Sequence, residues 1–174
     1  MAKSDVSTRK LAVAGILTAV AVAGSLFSFP VLASRCSPVQ HMVNILCAVF
    51  LGPWYGVAAA FAASLIRNLL GLGTLLAFPG SMVGALACGL LYDRTRSLAA
   101  ACGAEALGTG VLGGLAAWPV AVLLLGQTAA VYAYMGPFLV STVAGSILAG
   151  ILVAALRRSG ALKAMNASLN ASHG

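Results

Sequence analysis

Six stretches of nearly unbroken apolar residues, at 11–29, 39–51, 55–70, 81–92, 98–125 and 136–156, alternate with short breaks of proline, glycine and charge. The breaks are sharp: Phe29-Pro30, Ser37-Pro38, Gly52-Pro53, residues 71–80, Asp93-Arg94 and Met135-Gly136-Pro137. Apolar runs without a polar face predict helices that sit in lipid. The second and fourth runs are short against the ~20 residues that a span needs. Short, Gly/Pro-interrupted segments are tolerated where neighbours shield them or where they line a cavity. The pattern predicts an all-α integral membrane protein with six transmembrane helices in a single domain, residues 1–158, and an internal site. Residues 159–174 are polar and rich in small side chains, and a flexible tail is expected there.

Composition agrees with lipid as the solvent. Of 174 residues 61% are hydrophobic and 7% charged, too little polar surface to cover a water-soluble globule. The net charge of +7 raises nucleic acid as a partner, but the placement of the basic residues answers differently. Lys3, Arg9 and Lys10 precede the first run, Arg94 and Arg96 follow the fourth, and Arg157, Arg158 and Lys163 follow the sixth. With six spans these share one side, which the positive-inside rule makes cytoplasmic, together with both termini. The opposite side receives Arg35 and, near a helix end, Arg67. A cleaved signal peptide is the alternative for the first run, since Val31-Leu32-Ala33 resembles a cleavage site; that would leave five spans. The Asn-Ala-Ser sequons at Asn166 and Asn170 fall on the cytoplasmic side in this topology and are treated as chance. Cys36, Cys47, Cys88 and Cys102 show no metal-ligand spacing and read as packing residues, so no metal or cofactor is expected.

Polar groups inside hydrocarbon are costly and therefore mark candidate sites. At about 100° per residue, Gln40, His41 and Asn44 share one face of the second helix, and Ser64, Arg67 and Asn68 share one face of the third. Both groups lie toward the external side. The loop after Asn68 carries Thr74 and Phe78 and ends at Ser81, offering backbone donors and one aromatic ring. Glu105 is the one carboxylate within an apolar run; a structural pairing and a substrate or proton role are both open, and its inner position argues against direct contact with an outer site. Trp118, Gln127, Tyr132 and Tyr134 fall near the outer interface; for Tyr132 and Tyr134 an aromatic belt and stacking on a ring-shaped ligand are both open. Gly15, Ala19 and Ala23 form a small-residue stripe that suits internal packing or docking onto another membrane subunit. The P-loop, GxSxG and HExxH patterns are absent, as are paired carboxylates, which disfavours an ATPase or hydrolase.

The stretches Pro38-Val39-Gln40-His41-Met42-Val43-Asn44, Leu51-Gly52-Pro53-Trp54-Tyr55, Arg67-Asn68, Gly73-Thr74-Leu75-Leu76-Ala77-Phe78-Pro79-Gly80-Ser81, and Glu105 with Gly108-Thr109-Gly110 together resemble the ThiW-type S component of energy-coupling-factor (ECF) transporters. The resemblance implies a six-helix binding subunit in a prokaryotic plasma membrane. Such a subunit captures the thiamin precursor hydroxyethylthiazole from outside and works with a transmembrane T subunit and two ATPases. It implies a T-subunit contact at Gly15, Ala19 and Ala23; the leading expectation for the site is substrate contact from Gln40, His41, Asn44, Arg67, Asn68, Thr74, Ser81 and Glu105, with apolar walls from Phe78 and Trp118. A stand-alone secondary transporter with Glu105 carrying protons is the second expectation, and a small lipid-acting membrane enzyme the third.

Overall fold

The computed structural model describes residues 2–31 and 34–170, with side chains from Thr8 onward. The side chain of Lys3, residues Leu32 and Ala33 of the cleavage-like stretch, and residues 171–174 lie outside the described residues. Helix α1 covers Ala2–Gly24 and ends in a 3-10 turn at Ser25–Phe27. A small antiparallel hairpin follows, β1 at Phe29–Val31 and β2 at Ser34–Cys36, with Pro30 opposite Arg35. Then come α2 at Pro38–Phe50, α3 at Pro53–Leu69, α4 at Ala77–Thr95 and α5 at Leu98–Leu107. The last continues through a π-helical stretch Gly108–Gly113, helix α6 at Gly114–Pro119 and a second π stretch Val120–Leu124. Helices α7 at Met135–Arg158 and α8 at Ala161–Asn170 complete the described chain.

Each apolar run thus becomes helical, with boundaries set by local chemistry. Pro38 and Pro53 open α2 and α3 at the first turn, where a missing N–H removes no intrahelical bond. The same reason lets α4 begin at Ala77 rather than at 81: Pro79 occupies the third helical position, so the segment expected as loop is partly helix. Arg96 takes a left-handed conformation (φ 52°) and closes α4, and the Ser97 hydroxyl accepts from the Ala100 amide to start α5. The hairpin is a further departure from the all-helical expectation; Pro30 stands in it opposite Arg35, at a short edge where no ladder donor is needed.

Among the described residues three helical rods are long and apolar enough to cross a membrane by themselves: Thr8–Phe27, Leu98–Leu124 and Met135–Arg158. Large apolar side chains such as Leu11, Ile16, Phe27, Leu123, Ile147 and Ile151 cover their outer faces, which suits lipid and not water. The short helix α2, about 20 Å long at 1.5 Å per residue, lies in the middle. It packs against α1, α3, α4, α5 and α7, and most of its residues are buried. Shielding by neighbours on every side allows a helix this short to carry polar groups at its N-terminal end.

Where a flexible tail was expected, α8 folds back on α7 and α1. Its Leu162, Met165 and Leu169 recur at helical spacing and turn inward, with Leu169 buried, and the Arg9 guanidinium donates to the Ser168 carbonyl at 3.0 Å. This interaction brings the N-terminal part of α1 and the C-terminal helix to the same end of the bundle. The π-helical stretches were likewise not anticipated. The first is rich in glycine and packs on α4; the second follows Pro119, whose ring cannot supply an N–H to the regular ladder.

Close approach of helices depends on two glycines in particular. A Cβ on Gly84 would lie 1.9 Å from Thr109 Oγ1 and 2.9 Å from Glu105 Oε2, and one on Gly145 would lie 2.7 Å from His41 Cβ. Gly84→Ala is expected to lower stability by about 1–3 kcal/mol through overpacking. Gly103→Ala, with open space at its Cβ, should cause no loss. Thermal unfolding of the detergent-solubilised variants measures both, and equal melting temperatures would contradict the packing described.

Candidate functional site

The site is built on Glu105, whose side chain is fully buried. Its Oε1 lies 2.8 Å from His41 Nδ1, accepts from Asn44 Nδ2 at 2.9 Å, and is 3.1 Å from the Thr109 hydroxyl. Thr109 follows Glu105 by four residues, so the helix itself places them together. Its single proton can serve either that carboxylate or the Gly80 carbonyl at 3.2 Å. Asn44 also donates to the Ser81 carbonyl at 3.2 Å, linking α2 to α4. A proton between His41 Nδ1 and Glu105 commits that ring nitrogen and leaves Nε2 to serve whatever enters the site.

From Asn44 the polar chain continues upward. Gln40 Nε2 donates to Asn44 Oδ1 at 3.4 Å, and Arg67 Nη1 donates to Gln40 Oε1 at 3.4 Å. The spacing predicted from sequence, positions 40, 41 and 44 on one turn of α2, is what aligns these groups. Ser64 and Ser81 hydroxyls meet at 3.0 Å across α3 and α4, and Ser81 donates to the Ala77 carbonyl at 2.8 Å. Arg67 Nε and Glu105 Oε2 are buried without a hydrogen-bond partner. Unpaired buried groups of this kind are costly and concentrate at functional sites.

A cavity of about 30 Å³ opens above the network, walled by Gln40, His41, Arg67 and Ser81. Sequence reasoning missed its other walls: Ser37, Thr109, Phe138 and Ser141, with Arg35 reaching in from the hairpin. Thr109 was findable from its four-residue offset to Glu105; Ser141 and Phe138 stand alone in an apolar run and gave no pattern. The remaining expected residues play supporting parts. Asn68 Nδ2 donates to the Ser64 and Thr74 carbonyls, so it pins the loop, and Thr74 contributes its backbone. Phe78 packs on Phe61, with ring centroids 5.6 Å apart, outside the cavity wall. Trp118 Nε1 donates to the Ala129 carbonyl at 2.8 Å and secures the segment before α7. Tyr134 is fully buried and bonded to Gln127 at 2.8 Å, which removes it from an aromatic belt, whereas Tyr132 is exposed.

The sequence-based separation of Glu105 from the outer cluster does not hold. Helix α2 is short and central, so its N-terminal turn reaches the depth of Glu105 on α5. The small-residue stripe also has a definite placement: Gly15, Ala19 and Ala23 all lie on the exposed face of α1, and none of the described residues would meet a side chain at Gly15. Packing among the described residues therefore does not account for it. A larger, open crevice of about 650 Å³ lies at the other end of the bundle, beside Lys10, Asp93, Arg96 and Asn166. It lacks a buried polar network, and the chemistry concentrates in the smaller cavity.

The family model for thiamine-precursor transporter protein (ThiW) matches residues 11–159. No curated protein and no solved structure matches the chain.

Removing the carboxylate should take away the acceptor that His41, Asn44 and Thr109 share. Glu105→Ala is expected to destabilise the protein by about 3–5 kcal/mol, the cost of breaking a buried polar pair. Glu105→Gln keeps an acceptor oxygen and should retain most of that stability. A thermal-shift series on the two variants in one detergent reads the difference; similar losses in both would mean that Oε1 does not organise the site.

Proposed function

Because the chain belongs to the ThiW family of thiamine-precursor transporters, we propose that it is the substrate-capturing S subunit of an ECF-type importer, taking up hydroxyethylthiazole from the external side. The observation that carries this is the buried Arg67-Gln40-Asn44-Glu105-His41 chain beneath a cavity at the hairpin end. It supplies donors and a ring nitrogen but no free carboxylate at the wall, which suits a neutral or anionic heterocycle and disfavours the cationic ring of intact thiamin. Phe138 adds an apolar wall for a small ring. The cavity is smaller than a substituted thiazole, so binding includes a widening of the hairpin end, where Arg35 is exposed and residues 71–75 are only partly enclosed.

Six spans with both termini in the cytoplasm fit the placement of Lys10 and Arg96 around one end of the bundle and of the cavity at the other. The exposed Gly15, Ala19 and Ala23 stripe supports a T-subunit contact, since lipid-facing small residues let a second helix approach closely. The polar network binds and releases its ligand without converting it. A stand-alone transporter is the second possibility, favoured by the His41–Glu105 contact, which is able to pass a proton.

Titration calorimetry on the full chain is expected to show one-to-one binding of hydroxyethylthiazole. Asn44→Leu should weaken it at least about tenfold, or ~1.4 kcal/mol. Tighter binding of thiamin, or no thiazole binding, would overturn the substrate assignment. In proteoliposomes, Ala19→Leu with Ala23→Leu should leave binding intact and abolish ATP-driven uptake through a T subunit and two ATPases. Uptake by the chain alone would favour the secondary transporter instead.

A further inference from the structure

The charges around the cavity do not balance. The chain has three acidic residues, Asp5, Asp93 and Glu105. Glu105 is held by His41, Asn44 and Thr109, and Asp93 lies 3.7 Å from Arg96 at the opposite end of the bundle. Asp5 belongs to the first turns of α1, far from the hairpin. No acidic residue therefore remains for the two arginines of the cavity wall.

Those arginines are placed differently and complement each other. Arg67 is 3% exposed, meets Gln40 through one long bond, and keeps a buried Nε without a partner. Arg35 stands on the exposed edge of the hairpin and lines the same cavity. Ser37, also in the wall, has a buried hydroxyl with no partner. A guanidinium withdrawn from water without a counter-ion is strongly disfavoured unless an anion completes it. The fork of donors on an arginine matches a phosphate or carboxylate edge with two parallel bonds. A free alcohol accepts one such bond and leaves the charge uncompensated.

Resting on the thiazole-capture function above, we propose that the form this site prefers is the phosphate monoester of the hydroxyethyl arm, with Arg67 and Arg35 on the phosphate oxygens and Ser37 donating to them. A phosphomonoester carries about −1.5 to −2 charges at neutral pH, which matches two unpaired guanidinium groups. The buried arginine fixes the anion, and the exposed one draws it in from solution.

Calorimetry of the full chain in phosphatidylcholine nanodiscs, with hydroxyethylthiazole, its phosphate ester and inorganic phosphate as separate titrants, tests this. The ester is expected to bind at least about tenfold tighter than the alcohol. Arg67→Gln should bring that ratio close to one, and Arg35→Gln, an exposed position whose replacement spares the fold, should reduce it in part. Equal or tighter binding of the alcohol overturns the proposal and leaves the thiazole function standing. Failure of both thiazoles overturns the function as well. Inorganic phosphate binding as tightly as the ester would make this a general anion site and overturns the ester assignment. Loss of ester binding when phosphatidylglycerol is added would assign the arginines to lipid headgroups and has the same effect.

Discussion

A carboxylate buried among helices needs donors around it, and Glu105 has them on one oxygen, Oε1, which His41, Asn44 and Thr109 share, while Oε2 stays without a partner. The consequences spread outward from this contact. Helix α2 must present two polar groups one turn apart, so it must be central and shielded. Helix α4 must come close enough for Gly84 to touch both Thr109 and the carboxylate, which leaves no room for a side chain there. Gly145 on α7 gives the same freedom on the other side of His41. The apolar outer faces of α1, α5 to Leu124, and α7 then separate this polar interior from lipid.

The same contact determines how the cavity wall is poised. With Nδ1 of His41 and Nδ2 of Asn44 held by Glu105, the neighbouring side chains are fixed in turn: Asn44 receives Gln40, and Gln40 receives Arg67. Orientation at the wall is therefore set from below. A binding site whose groups are already aligned loses less freedom on meeting its ligand. The loop after α3 is attached to the same framework through Asn68, which ties the Thr74 carbonyl to the end of that helix.

Much of this was legible in the residues. Runs of apolar side chains separated by proline and glycine located α2, α3, α4 and α7 to within a few residues, because desolvation of the backbone leaves a lipid-exposed segment no alternative to helix, whereas α1 begins nine residues before its run. Helical spacing grouped Gln40 with His41 and Asn44, and Ser64 with Arg67. Depth was not legible. Glu105 sits well inside its run, and only the three-dimensional offset of the short α2 brings the carboxylate to His41. The hairpin, the π stretches and α8 also escaped, for separate reasons: two three-residue strands carry too little pattern, π turns arise from packing around glycines, and the apolar stripe of α8 is hidden by small polar neighbours. Ser37, Ser141 and Phe138 are single residues whose role exists only once α2 and α7 are side by side.

The family membership gives the transport of a thiamine precursor, and the place proposed for it is the cavity beside His41, above the Glu105 network. The chain has two histidines, His41 and His173, so uniform nitrogen-15 labelling of histidine yields a spectrum simple enough to assign by one substitution. Nitrogen-15 NMR of such protein, titrated with hydroxyethylthiazole, observes the site directly. The account predicts a ligand-dependent shift of the His41 Nε2 resonance while its Nδ1 remains bonded to Glu105, with no change at His173. Saturable binding that leaves both His41 resonances unmoved would contradict it.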